Sequence, residues 1–200
     1  MKIVQNNIER LLSRKKSSNL IFLSDFRGIG TEAAIKKALS RLVQKGVLKR
    51  AAHGIYYIPK IDPLLGELHP GGEEVAMMLA KKEKIRIRPA GAFALNKLGL
   101  STQVPTRLVY ITDGPPRQLK MGKLEIKFKA TSHKKLATTG KISALVIQAL
   151  EELDLNNIDE SRTARIKQLL LTEDPKKLKH DLTLAPARIH DYIVKLLNEK

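Results

Sequence analysis

The residues best suited to chemistry in this chain are cations set at helical spacing. Lys36, Lys37, Ser40, Arg41 and Lys45 fall in one short stretch, with Thr31 at its head. Lys37, Arg41 and Lys45 stand four apart, so on a helix they form one row that can follow successive phosphates. Arginine matches the acceptor pair of guanine, whereas lysine and serine mostly serve phosphate oxygens. Thr31 joins the group because residues at the start of such a helix reach base edges. Lys49, Arg50 and His53 add a second cluster just downstream. His53 is either a contact or a plain turn residue. Arg27, ahead of the helical stretch, is either a phosphate anchor or a free surface arginine. The chemistry these types share is recognition of a polyanion.

Two other constellations could do chemistry. Asp113 followed by Glu125-Ile126-Lys127 matches the Asp…Glu-x-Lys order of magnesium-dependent nucleases, where carboxylates hold the ion and a lysine helps activate water. A strand of alternating Lys and Glu yields Glu-x-Lys readily, and Asp113 sits in a Gly-Pro turn, so the chain is not expected to be an enzyme. Arg86, Arg88, Arg107, Lys123, Lys127 and Lys129 offer a second basic surface for DNA or RNA, or else the solvated outer faces of strands. The absence of cysteine excludes disulfides, Cys-based metal sites and Cys nucleophiles. The histidines at 53, 69, 133, 180 and 190 lack ligand spacing, and no phosphate-binding glycine motif is present. Neither a metal nor a cofactor is expected.

The charge distribution points the same way. Lys and Arg number 37 against 20 Asp and Glu, a net charge of +17. Residues 1–60 hold 13 basic and 3 acidic side chains, whereas residues 141–200 hold 10 of each. A polyanion partner is therefore expected at the front of the chain. The longest apolar run, "VAMMLA", is far too short for a membrane span, and "MKIVQNNIERLL" lacks a signal-peptide core. A cytoplasmic protein with no membrane partner is the expectation.

The elements that must position these residues can be read from periodicity. Residues 3–16 predict a helix through Ile3, Val4, Ile8, Leu11 and Leu12, broken by "KKSSN". "LIFLSDF" predicts a brief second helix capped by Ser24. "GTEAAIKKALSRLVQKG" is the strongest helix in the front half, with Thr31 as N-cap, Glu32 in the first turn and Gly46 at the end. Its apolar face is Ile35, Ala38, Leu39, Leu42 and Val43. "VLKR" and "GIYYIP" follow as a hairpin ended by Pro59. Of Tyr56 and Tyr57, which alternate across a strand, one is expected in the core.

Residues 61–72, rich in Pro and Gly, predict a linker. Beyond it come a helix at 73–83, the strand "IRIRP", the helix "AGAFALNKLGL", the strand "TRLVYIT" and a hairpin around Met121-Gly122. In that hairpin Leu124, Ile126 and Phe128 alternate with charged residues. Helices with faces at Ile142–Leu153, Ile166–Leu170 and Ile189–Leu197 complete the chain, and Asp174-Pro175 opens one of them. The fold class is α+β: a winged helix-turn-helix domain at 1–60, a linker at 61–72, and a mixed α/β domain with a helical C-terminal tail at 73–200. In a winged helix the third helix enters the major groove and the hairpin lies along the backbone.

"GVLKRAAHGIYYIPK", then "RPAGAFALNKLGLSTQVPTRLVYITDGPPR", and "KLEIKFKAT" running on to "GKISALVIQAL", resemble in order and spacing the AbiEi-family antitoxins of type IV toxin–antitoxin systems. The likeness covers roughly residues 20 to 150. It implies an N-terminal domain that represses its own operon. It also implies a C-terminal domain that counters a nucleotidyltransferase-like toxin without a stable complex. Double-stranded operator DNA is the expected partner, at an inverted repeat and with a homodimer on the DNA, because one small module covers few bases. The alternatives are a winged-helix regulator whose second domain senses a ligand or a protein, and a magnesium-dependent nuclease using Asp113, Glu125 and Lys127.

Overall fold

The computed structural model describes residues 2–14 and 20–198. The protein is α+β and divides into two compact units, Met1–Leu79 with Leu119–Gly122, and Ala80–Gln118 with Lys123–Lys200. Among the described residues no helix is long and apolar enough to cross a membrane.

The first unit begins with helix α1 (Lys2–Ser13), strand β1 (Ile21–Phe22) and a 3-10 turn (Leu23–Phe26). The end of the helix expected at 3–16 and the break after it lie outside the described residues. Ser24 does not cap the turn: it lies inside it, and the Asp25 carboxylate accepts from the Phe22 N–H at 3.1 Å. The reason is that β1 ends at Phe22 and the turn starts at once with Leu23, so Phe22 takes the cap position and Ser24 falls inside the turn. Helix α2 (Glu32–Gln44) follows expectation. The Thr31 hydroxyl accepts from the Ala34 N–H at 3.3 Å, and Gly46 at φ +72° lets Val47 N–H reach back to the Leu42 carbonyl at 3.0 Å.

Strands β2 (Lys49–Ala52) and β3 (Ile55–Tyr57) form the hairpin, turning at Gly54, whose φ is +72°. With β1 they make a three-stranded sheet of order β1-β3-β2, Ile21 opposite Tyr56 and Arg50 opposite Tyr56 on the other side. Ile8 and Leu12 of α1, Ile21, Phe26, four residues of α2, Leu48 and Tyr56 form the core. Each fully buried Leu or Ile there stabilises the unit by about 1.5–3 kcal/mol. Ile3, expected on the apolar face of α1, is instead exposed.

Residues 61–72 are not a structureless linker. Strands β4 (Lys60–Asp62) and β5 (Gly66–Leu68) form a second hairpin within that span. Its turn is fixed by Asp62 Oδ1, which accepts from the N–H groups of Leu64 and Leu65 at 2.9 and 3.0 Å. Pro63 and Gly66 therefore serve a turn rather than a break. Helix α3 (Gly72–Glu83) follows.

The second unit is built on strands β6 (Ile87–Ala90), β7 (Arg107–Thr112) and β9 (Leu124–Ala130), in the order β6-β7-β9, while β8 (Arg117–Met121), which the sheet places beside β9, has its residues from Leu119 onward in the first unit. β6 runs antiparallel to β7, and β7 runs parallel to β9, with Tyr110 opposite Phe128. On one face Tyr110 stacks on Phe128, ring centroids 5.8 Å apart, and meets Phe93 of α4 (Gly91–Lys97) edge-on at 5.4 Å. The opposite face carries Val109 and Ile111 beside Lys127 and Lys129.

Four further helices follow the short turn α5 (His133–Leu136): α6 (Lys141–Leu150), α7 (Glu160–Leu171), α8 (Pro175–Leu184) and α9 (Ala187–Asn198). They are not an appended tail. α6 is buried on nearly every side and joins α4, α7 and α9 in one aliphatic core through Leu95, Leu150, Ile166, Leu170, Ile189 and Ile193. Its N-terminus is held by two carboxylates. Glu173 accepts from the N–H groups of Ile142 and Ser143 at 2.7 and 3.1 Å. Asp181, with no exposed surface, accepts from those of Thr139 and Gly140 at 2.7 and 2.9 Å and from the Ser143 hydroxyl at 2.6 Å. Burial alone would raise the Asp181 carboxyl, but these donors, with His180, hold it below the usual carboxylate range.

Candidate nucleic-acid interface

α2 presents one face to the core and the other to solvent. Lys36, Lys37, Ser40 and Lys45 are exposed and Arg41 is half-buried. Lys37, Arg41 and Lys45 keep their free row. Lys36 is spent on an ion pair with Glu32 one turn earlier, at 2.5 Å, and that ammonium holds the Glu32 carboxyl below its ordinary range. Arg27 is exposed just ahead of the helix and adds to the same field. Thr31 is exposed, but its hydroxyl oxygen is engaged as the N-cap acceptor. The face is therefore cationic along its middle and end, and locally neutral at its start.

The hairpin β2–β3 ties two of its cationic candidates together at the tip. Arg50 reaches along the strand to His53, Nη2 to Nδ1 2.8 Å, while its Nε donates to the Ala52 carbonyl at 3.3 Å. His53 thus orients Arg50 over the turn, and the two are exposed together. Lys49 points elsewhere. It pairs with Glu67 of the second hairpin, whose carboxyl that ammonium pulls down. The Tyr57 hydroxyl donates to Glu67 at 3.1 Å and lies 2.6 Å from His69 Nδ1. Both tyrosines of β3 are buried: Tyr56 in the core of the first unit, and Tyr57 against Glu67 and His69. Burial and the Glu67 carboxylate push the Tyr57 hydroxyl up to about 12.

A family model matches residues 7–178, that of the Family of unknown function (DUF6088). The chain belongs to that family. None of the curated proteins matches it. Among solved structures, it is similar to the RV2827C protein from Mycobacterium tuberculosis at 15% identity and a TM-score of 0.44, over 100% of this chain and 83% of that one.

In this DUF6088 chain the second basic surface does not assemble from all six residues named for it. Arg88 is half-buried and donates to the Thr138 carbonyl, so it fastens a loop instead of facing solvent. Arg86 bonds both oxygens of Asp113, through its own N–H at 2.7 Å and its Nε at 2.8 Å. Arg107 pairs with Glu125, its neighbour in register. Lys123 and Lys129 are exposed and Lys127 is half-exposed. The nuclease constellation does not close either. Asp113 follows the end of β7, whereas Glu125 lies opposite its start, so about six residues of strand, roughly 20 Å, separate the two carboxylates. Among the described residues no group of three or more His, Asp or Glu could hold a metal ion.

Two acids govern the interface in ways the sequence reading does not contain. Glu67 decides which cations of the hairpin remain available, and nothing local signals that it meets Lys49 eighteen positions earlier. Glu32 had a readable signal, the i,i+4 spacing to Lys36, yet it drew notice only as a first-turn acid.

Proposed function

We propose that this protein is a DNA-binding transcriptional regulator whose first unit is a winged helix. α2 would lie in the major groove and the β2–β3 hairpin along the backbone. The observation that carries the reading is the pairing of topology with charge. A helix, a short turn and a second helix pack on a sheet of order β1-β3-β2, and the solvent faces of the last helix and the hairpin are cationic. Lys37, Arg41, Lys45, Arg27 and Arg50 supply the contacts. Arg41 is suited to a guanine edge and the others to phosphate. Occupancy of an inverted repeat by two copies would give useful specificity, since one module reads few base pairs.

The resemblance to AbiEi-type antitoxins supports the further reading that the protein represses its own operon while its second unit opposes a nucleotidyltransferase-like toxin without binding it stably. The tests separate the two readings. Footprinting on the protein's own upstream DNA should protect a short symmetric site. Co-expression with a neighbouring nucleotidyltransferase-like gene should restore growth that the toxin gene alone arrests. Failure of the second test with success of the first would leave a regulator and remove the antitoxin role.

A further inference from the structure

We infer that the second unit binds a flat heterocycle bearing exocyclic amino groups and an anionic group, of nucleoside monophosphate size, in a groove between the Val109–Ile111 face of its sheet and helix α6. The groove encloses about 610 Å³ and is lined entirely by residues of that unit. That volume lies inside the range of about 300–1,000 Å³ typical of small-molecule sites.

Three observations define the ligand. The floor is flat and apolar: Val109 and Ile111 from β7, with Ala90 and Gly91 beside them. The α6 wall accepts hydrogen bonds. Gln148 is only 5% exposed and lines the groove; its amide nitrogen makes one long bond, 3.4 Å, to Glu151, and its amide oxygen is left to accept from whatever occupies the groove, water or a ligand donor. Glu152, exposed at the same wall, is a second acceptor free of any partner among the described residues. One cation of the lining is uncommitted. Arg107 of β7 and Lys135 of α5 are already neutralised by Glu125 and Glu151, but Lys129 of β9 has no partner among the described residues. Donors at one end, an anion at the other and a planar body between them satisfy all three walls. Amino-bearing nucleotides have that arrangement.

The inference does not rest on DNA binding, and its test keeps the two apart. Isothermal titration calorimetry of the full chain against AMP, GMP, CMP and UMP should find one-to-one binding of at least one of the first three. UMP, which lacks the exocyclic amine, should bind at least about tenfold more weakly. The exposed substitution Lys129→Ala, and Gln148→Leu, should each weaken the bound nucleotide at least about fivefold, whereas Lys37→Ala should leave it unchanged. Because Gln148 is buried, its variant counts only with an unaltered melting temperature; Lys129→Ala decides otherwise. Absence of binding by all four nucleotides would overturn the inference. So would unchanged affinity in Lys129→Ala, or displacement by equimolar inorganic phosphate, which would mark an adventitious anion contact.

Discussion

Lys36 and Lys37 are adjacent and alike in composition, yet the structure makes them different reagents. Lys36 is tied to Glu32, while Lys37 begins the free row that continues through Arg41 and Lys45. Replacing Lys37 by Ala should weaken binding to all duplexes and lower the salt slope by about one. Arg41→Ala should cost about 1–3 kcal/mol and relax preference at one base pair. Glu32→Ala should do the opposite and tighten binding, because it frees Lys36 and removes an anion from the face. Fluorescence anisotropy with labelled duplex checks all three, and a loss of affinity in Glu32→Ala would contradict the assignment. Tyr57 offers a second test. Its hydroxyl should ionise near pH 12, followed by ultraviolet absorbance. As its folded value is raised, its contribution is complete below about pH 10 and declines as pH climbs toward 12. Tyr57→Phe should remove that step from the titration curve.

Elements fixed by local punctuation could be read from the sequence. α2 was bounded by Thr31 and Gly46, and α8 by Asp174-Pro175, because caps act within a few residues. β9 followed from alternation, and β7 and the β2–β3 hairpin from short β-prone runs bounded by turn residues. What escaped was decided at long range. Nothing in "KIDPLLGELHP" announces that Glu67 will hold Lys49 and Tyr57, so a hairpin looked like a linker. The engagement of Arg88 with a carbonyl fifty positions away was equally invisible. So was the clamp on α6, formed by carboxylates some thirty and forty residues downstream. That clamp carries its own prediction. Asp181→Ala strands two backbone N–H groups and a hydroxyl in a buried place, and should destabilise the protein by at least about 2 kcal/mol in thermal or urea melts. Asp181 and Glu173 both have folded values below their ordinary ones, so their contribution is present above about pH 4 and is lost as pH falls through those depressed values. Melting temperature followed from pH 7 downward should fall less steeply in Asp181→Asn than in the parent.

At the scale of the whole molecule the charges are unevenly spent. In the second unit the arginines are largely consumed by internal partners: Arg86 by Asp113, Arg107 by Glu125, Arg117 by Glu83 and Arg88 by a carbonyl. In the first unit only Lys36 and Lys49, of the interface cations, are paired with acids. Net charge alone could not make that distinction, since +17 describes both kinds of cation equally. About five cations per copy, Arg27, Lys37, Arg41, Lys45 and Arg50, remain to displace counterions from DNA, which sets the slope of log affinity against log salt near −4.5. The most direct measurement is that slope, taken with the protein's own upstream duplex. A fall in affinity of about 500-fold per bound copy between about 50 and 200 mM salt is the result predicted. A flat dependence, or an equal slope after Lys37, Arg41 and Lys45 are all replaced by Ala, would contradict the assignment of this face to DNA.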